Sequence, residues 1–159
     1  MKFKALALTA ILAIAAAGLA EAGIGYFATP TPETTLALAS QRLDLDPTQQ
    51  ARLRPLLQRA AALRTDIRSR TAAMRAASRE ELERPDADLR ALDRERKAQV
   101  AAELKAMDEL HNQFLAFYQD TLRPDQQAKA RQLMIQRMDR FDRLRERIVA
   151  MGADPSQLR

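Results

Sequence analysis

The sequence predicts an all-α protein of about four helices with an elongated shape. Apolar residues recur at steps of three and four along three long segments, and no segment alternates with a period of two. These segments begin at or near Pro47, Pro85 and Pro124. Apolar residues form 47% of the chain but aromatic residues only 4%. This composition favours helices that pack along narrow seams over a thick globular core.

The N-terminal segment has the three parts of a secretory signal peptide. Lys2 and Lys4 give it a positive start, the uncharged run Ala5–Ala20 follows, and Ala-Glu-Ala at residues 20–22 is a small-x-small cleavage site. We predict that the first 22 residues are a signal peptide that is cleaved near Ala22 on export to the periplasm. The alternative is an uncleaved anchor that holds the protein on the inner membrane, facing the periplasm.

The signal peptide is followed by a predicted linker and a short helix. Residues 23–35 are assigned to the linker, because Pro30 and Pro32 favour an extended backbone. A short helix is expected over Glu33–Leu43, where apolar residues recur at steps of three and four.

Three long helices complete the predicted domain, which spans residues 36–150. The first is expected to begin near Pro47, the second after Pro85 and the third at Pro124, and residues 151–159 are expected to be a flexible tail. The second long helix carries a mostly apolar series with Leu110 beside it, and its members are Leu89, Leu92, Arg96, Val100, Leu104, Met107, Phe114, Phe117 and Leu122.

The chain lacks the residues on which several classes of enzyme and metal site depend. It contains no cysteine, which excludes disulfides and thiolate metal sites. Only Gly152 lies beyond Gly25, so the helical domain cannot supply a glycine-rich phosphate-binding loop. His111 is the single histidine, and we favour a structural role for it over metal binding. We therefore expect no enzyme activity, no cofactor and no metal, with His111 as the one weak metal candidate.

Two eight-residue segments of the domain are related in sequence. The first is Leu45-Asp46-Pro47-Thr48-Gln49-Gln50-Ala51-Arg52, and the second, 77 residues later, is Leu122-Arg123-Pro124-Asp125-Gln126-Gln127-Ala128-Lys129. Leucine, proline, both glutamines and alanine match, and the eighth position is basic in both copies.

Each copy is predicted to start a helix. Asp46 can cap the first long helix, Pro47 suits the first helical position, and Gln49 can reach back to the backbone N–H of Asp46. In the second copy Arg123 stands at the cap position, where a guanidinium has no lone pair to offer. Either Asp125 compensates through the helix dipole, or the second and third long helices join less cleanly. The residues assigned to these helix starts are Leu45, Asp46, Pro47, Gln49, Leu122, Pro124 and Gln126.

Two such L-x-x-x-Q motifs, behind a signal peptide and in a helical chain without cysteine, resemble the LTxxQ motifs of the Spy/CpxP family of periplasmic proteins. The resemblance covers about residues 36–147 and departs from the family pattern at Asp46 and Arg123, where threonine is usual. It implies a thin, curved, hairpin-type protomer of four helices that pairs as an antiparallel homodimer shaped like a cradle.

The resemblance also implies the function. Spy-like members are chaperones that work without ATP, CpxP-like members restrain an envelope-stress sensor kinase, and a related branch senses or buffers heavy metals. We therefore expect a periplasmic chaperone for unfolded or misfolded envelope proteins. The alternative is an envelope-stress or heavy-metal-responsive adaptor that binds the periplasmic domain of a sensor kinase or an anti-sigma factor.

Arginines are the main candidates for client binding. The chain carries a net charge of +5, and in an exported protein this charge suits unfolded polypeptide, an acidic protein partner or a lipid surface better than nucleic acid, which we do not expect to bind. Guanidiniums around shallow apolar patches would hold a client weakly, although solvated arginines that only add solubility would look the same in sequence. The candidates are Arg52, Arg59, Arg64, Arg68, Arg137, Arg140, Phe114 and Phe117.

Overall fold

The computed structural model describes residues 30–150, apart from the side chains of residues 141, 144, 145 and 147–150. Of these residues 88% are helical, and no strand occurs among them. The helices are α1 (Pro32–Leu43), α2 (Pro47–Leu82), α3 (Leu89–Asp120) and α4 (Pro124–Ala150). The prediction of an all-α chain with four helices is therefore confirmed. The predicted signal peptide and tail lie outside the described residues, and the homodimer stays a prediction.

Helix α1 begins inside the segment that was assigned to the linker. Thr31 is the N-cap, its side-chain oxygen accepts a hydrogen bond of 3.2 Å from the backbone N–H of Thr34, and Pro32 occupies the first helical position. A threonine cap followed by proline is a strong local start signal. The helix expected over Glu33–Leu43 therefore starts one residue earlier and overlaps the assigned linker at residues 32–35, and residues 23–29 lie outside the described part.

Helices α2 and α3 form a long antiparallel hairpin. The chain reverses between Leu82 and Leu89, and Asp88 caps α3 by accepting hydrogen bonds from the backbone N–H groups of Arg90 and Ala91. At 1.5 Å per residue, α2 is about 54 Å long and α3 about 48 Å. Helix α1 packs against α2, and α4 packs against α1.

The core lies at one end of this hairpin, where α1 covers it. Every buried residue of α2 lies between Gln49 and Ala60, and every buried residue of α3 lies between Leu110 and Phe117. Beyond these positions the hairpin is two helices thick and has no fully buried side chain in the described part. The apolar core consists of Leu36, Ala39, Leu43, Leu45, Leu53, Leu57, Ala60, Leu110, Phe114, Phe117, Leu122 and Ala130.

Candidate functional site

The first motif starts α2 with a complete capping box. The carboxylate of Asp46 accepts a hydrogen bond of 2.9 Å from the backbone N–H of Gln49, and the side chain of Gln49 accepts one of 3.0 Å from the backbone N–H of Asp46. Pro47 occupies the first helical position, and Leu45 is buried in front of the cap. Two of the backbone donors at the helix start are thereby satisfied.

The second motif retains half of this arrangement. The backbone N–H of Arg123 donates to the side-chain oxygen of Gln126 over 2.9 Å, as in the first copy. The guanidinium of Arg123 cannot accept a hydrogen bond; it lies 3.5 Å from the carboxylate of Asp125 and 3.9 Å from that of Asp46. The residue that breaks the cap pattern in one copy therefore forms an ion pair with the capping residue of the other.

The two motifs contact each other through their first glutamines, Gln49 and Gln126, which we call the glutamine pair. Each amide nitrogen donates to the oxygen of the other amide, over 2.8 and 3.0 Å. The second N–H of Gln49 reaches the carbonyl of Thr121, and that of Gln126 reaches the carbonyl of Asp44. Both side chains are buried, and Gln126 is fully so. Every donor of the pair is used, and each oxygen accepts two hydrogen bonds.

The second glutamine of each motif closes the turn that precedes the helix. Gln50 donates to the carbonyl of Leu45 over 2.8 Å, and Gln127 donates to the carbonyl of Leu122 over 3.0 Å. These leucines are the first residues of the two motifs, so the matching sequence positions have matching hydrogen bonds. The capping role of the first glutamines can be predicted from the sequence, whereas the role of the second glutamines is visible only in the structure.

An ion pair outside the core links α1 to α4. Asp44 ends α1 in the left-handed conformation (φ 52°), which an aspartate tolerates better than most residues, and its carboxylate contacts the ammonium group of Lys129. The hydrogen bond from Lys129, together with its positive charge, holds the pKa of Asp44 below its ordinary value. Lys129 is the eighth residue of the second motif, so this position also joins the two halves of the chain.

The structure separates the client-binding candidates into two groups. Phe114 is fully buried and Phe117 nearly so, and both belong to the core, where no client can reach them in this structure. Their assignment as client-binding residues stays a prediction, and the burial of both side chains does not support it. The six arginines lie on α2 and α4 and keep surface exposure, in part or in full: Arg52, Arg59, Arg64, Arg68, Arg137 and Arg140.

The two candidate arginines of α4 lie in a partly buried environment. Arg137 and Arg140 are half-buried, and both interact with other parts of the chain. Burial lowers the pKa of the Arg137 guanidinium from its ordinary value. Two apolar side chains of the same helix, Ile135 and Met138, are exposed beside them.

Helix α3 exposes a row of apolar side chains that belong to the apolar series predicted from its sequence. Leu89, Val100, Leu104 and Met107 keep 60%, 45%, 61% and 39% of their surface exposed. Their spacing puts them on one face of the helix, which we call the apolar row. The same face continues to the buried Phe114, so it passes from solvent into the core along the helix.

The ion pair between Arg59 and Glu109 shows which sides of α2 and α3 face the same way. The guanidinium of Arg59 lies 3.4 Å from the carboxylate of Glu109, so both side chains point to the same side of the hairpin. Arg64 lies five residues after Arg59, and Leu104 lies five residues before Glu109. Because α2 and α3 are antiparallel, both positions lie the same distance along the hairpin from the ion pair. Five residues turn a helix by about 140°, so these two side chains share the opposite side and lie across from each other.

Further residues of α2 and α3 lie on the side of the hairpin opposite the Arg59–Glu109 ion pair. Arg68 and Val100 are each nine residues from the ion pair, and Arg79 and Leu89 are each twenty residues from it, which again turns them to the opposite side. The arginine row of α2 therefore runs beside the apolar row of α3. We call the two rows together the hairpin face: Arg64, Arg68, Arg75 and Arg79 on α2, with Leu89, Val100, Leu104 and Met107 on α3.

A comparison with protein-family models identifies the family of this chain. The model of the LTXXQ motif family protein matches residues 33–134, more than half of the chain, and both glutamine motifs lie within the match. The chain belongs to the LTXXQ family. This family contains Spy/CpxP-like proteins, which confirms the resemblance drawn from the two motifs. No curated protein and no solved structure matches the chain.

Membership of the LTXXQ family suggests a periplasmic protein of a family without enzymes. None of the helices described over residues 30–150 combines the length and the apolar character that crossing a bilayer requires. His111, the weak metal candidate, is buried beside the core and interacts within the chain. No cluster of three or more potential metal ligands occurs among the described residues.

Replacing the cap residue tests the motif directly. We expect Asp46→Ala to lower the free energy of unfolding by about 1 kcal/mol, because the backbone N–H of Gln49 loses its acceptor. The measurement is urea unfolding followed by circular dichroism. Asp108→Ala, an exposed carboxylate in the middle of α3, is the matched control and should change the stability by less than about 0.5 kcal/mol. Equal losses in both variants would contradict a capping role for Asp46.

Proposed function

We propose that this LTXXQ family protein is a periplasmic chaperone that works without ATP and holds unfolded or aggregation-prone envelope proteins on the hairpin face. The observation that carries the proposal is the pair of parallel rows, one of guanidiniums and one of exposed aliphatic side chains. Export with cleavage near Ala22 would deliver the domain to its clients.

The two rows suit weak and reversible binding of unfolded chains. An unfolded client exposes apolar side chains, and burying one aliphatic side chain contributes about 1.5–3 kcal/mol at most. Three or four such contacts, reduced by the entropy of ordering the client, hold a chain without trapping it. The guanidiniums raise the encounter rate with acidic segments and can stack on aromatic side chains of the client. Release therefore needs no nucleotide.

A homodimer would enlarge this surface. The Spy/CpxP resemblance implies an antiparallel pair, and Ile135 and Met138 of α4 present further apolar surface beyond the core. Two hairpin faces in one dimer would contact a client at several points at once, which strengthens binding through effective concentration. Analytical ultracentrifugation of the purified protein tests the dimer independently of chaperone activity.

The chaperone proposal predicts the loss of client protection when the apolar row is made polar. We expect Val100→Gln with Leu104→Gln to raise the amount of protein needed for half-protection of a denatured client by about tenfold or more, because two apolar contacts are lost. The measurement is light scattering of an aggregating model client, without nucleotide, using protein purified from the periplasm of the expression host.

Controls separate this effect from misfolding and from charge. Ala101→Gln with Ala102→Gln introduces the same side chains on the solvent side of α3 and should leave protection unchanged. Both variants should keep the thermal midpoint of the unaltered protein. Protection should also weaken as salt is added, since salt screens the arginine row. An apolar-row variant that protects as well as the unaltered chain would end the proposal for this face.

The adaptor function is the alternative, and the unpaired arginines of α2 are what favours it. A row of guanidiniums would also suit the acidic surface of a periplasmic sensor-kinase domain or an anti-sigma factor. The mature N-terminus helps to distinguish the two: Gly23 favours the released chaperone, and Met1 in the membrane fraction favours an anchored adaptor. Capture of such a domain, without protection of clients, would favour the adaptor.

A further inference from the structure

We propose that the arginine row, Arg64, Arg68, Arg75 and Arg79, binds the anionic headgroups of a phospholipid bilayer, so that the protein lies on the membrane surface by its hairpin face. This inference goes beyond the chaperone proposal, because it requires no client and names a partner of different chemistry.

The charge of α2 is the first argument. This helix carries eight arginines against three carboxylates. Arg59 and Arg70 form ion pairs with Glu109 and Asp66. Within residues 30–150, by contrast, no ion pair and no hydrogen bond involves the guanidinium of any member of the arginine row. The positive charge of the row is therefore left for a partner outside this part of the chain.

The spacing of the row is the second argument. Arg64 and Arg68 are four residues apart, as are Arg75 and Arg79, and like charges at this spacing repel each other on a helix. A layer of negative charge against the row relieves both repulsions at once. On α3 the nearby Asp93 does not serve this purpose, because Arg96 and Lys97 already form ion pairs with it.

The arginine row is open enough to lie against a planar partner. The row extends over fifteen residues, about 22 Å of helix, and Ala61 and Ala72 beside it are too small to form a wall. The groove between α2 and α3 is lined by Arg70 and Glu95 and lies on the side of the Arg59–Glu109 ion pair, away from the hairpin face.

The apolar row adds what a membrane-surface helix needs. Leu89 and Leu104 are about 60% exposed and lie across from Arg79 and Arg64. Helices that bind in the membrane interface combine basic side chains with aliphatic ones that enter the boundary between headgroups and acyl chains. Each basic residue near an anionic surface strengthens binding by about fivefold, so four arginines together give a hundredfold or more at low salt.

Vesicle binding tests the inference. The full chain, in the form that the expression host leaves, is sedimented with vesicles of phosphatidylcholine alone or mixed with phosphatidylglycerol, at low and at high salt. The readout is the ratio of the two partition constants, because a retained apolar leader would bind both kinds of vesicle. We expect a ratio of about a hundred at low salt that falls towards one at high salt.

Two matched variants locate the effect. Replacing Arg64, Arg68, Arg75 and Arg79 with glutamine should bring the ratio close to one. The control variant removes the same charge from the other side of the hairpin and should keep most of the preference for anionic vesicles. In it, glutamine replaces Arg59, Arg70, Arg94 and Lys105. Circular dichroism checks that each variant is folded, and Arg64→Gln with Arg68→Gln replaces the fourfold variant if that does not fold.

Three results would overturn the inference. The first is equal binding of the unaltered protein to both kinds of vesicle. The second is an equal loss of the preference for anionic vesicles in the two fourfold variants, which would mean that only net charge matters. The third is salt-sensitive binding of the unaltered protein to poly-glutamate without binding to anionic vesicles, which would assign the row to an acidic protein. A chain that fails to protect clients but prefers anionic vesicles would contradict the chaperone proposal alone.

Discussion

We expect Gln126→Ala to lower the free energy of unfolding by about 3 kcal/mol. Gln126 is fully buried, and its amide is hydrogen-bonded to Gln49, to the backbone N–H of Arg123 and to the carbonyl of Asp44. Alanine leaves these buried polar groups without partners, which costs about 1–3 kcal/mol for a group that water cannot reach, and it opens a small cavity. Urea unfolding followed by circular dichroism measures the loss.

The same experiment shows whether the two motifs act as one unit. Gln132→Ala removes an exposed glutamine from the same helix and should change the stability by less than about 0.5 kcal/mol. In a double-mutant cycle, Gln49→Ala and Gln126→Ala should show a coupling energy of about 1 kcal/mol or more, because each removes a partner of the other. Effects of the two substitutions that simply add would contradict the hydrogen-bonded pair.

The helices could be predicted from the sequence because their starts are local events. Asp46, Pro47 and Gln49 lie within four residues, and the cap, the fixed φ of proline and the returning side chain act over that distance alone. The same holds for Thr31 and Pro32, which start α1 one residue before the Glu33 that periodicity predicts. Local chemistry therefore fixes where each helix begins, whatever the rest of the chain does.

The glutamine pair could not be predicted in the same way. Gln49 satisfies the N-cap of α2 with its oxygen, which explains the residue completely in local terms. Its amide nitrogen serves a residue 77 positions away, and that contact depends on α1 and α4 meeting at the end of the hairpin. The matching second copy was the available signal: two copies of a buried polar motif in one domain can satisfy each other.

The apolar row shows a second limit of periodicity. Steps of three and four indicate that Leu89, Val100, Leu104 and Phe114 share one side of α3, and the structure agrees. Periodicity does not say how far a covering helix extends. Phe114 lies in the core that residues of all four helices form together, whereas the earlier positions on this face lie outside that core and are exposed. The candidate functional surface is therefore the uncovered continuation of the core.

Phe114→Ala separates the core role of this residue from the client-binding role that the sequence suggested. A fully buried phenylalanine replaced by alanine should lower the free energy of unfolding by about 3–5 kcal/mol, the largest loss that we expect from a single substitution in this chain. The measurements are the urea midpoint and the client-protection assay, both on the same preparation.

Leu104→Ala is the matched control, since it also shortens an apolar side chain and lies ten residues earlier on the same helix. Leu104 is 61% exposed. It should change the stability by less than about 1 kcal/mol and weaken protection. If Phe114→Ala instead left the urea midpoint unchanged and lost protection, Phe114 would be a client contact after all. The two residues lie on one continuous face of α3, so this pair of substitutions compares the part of the face that lies in the core with the part that is exposed.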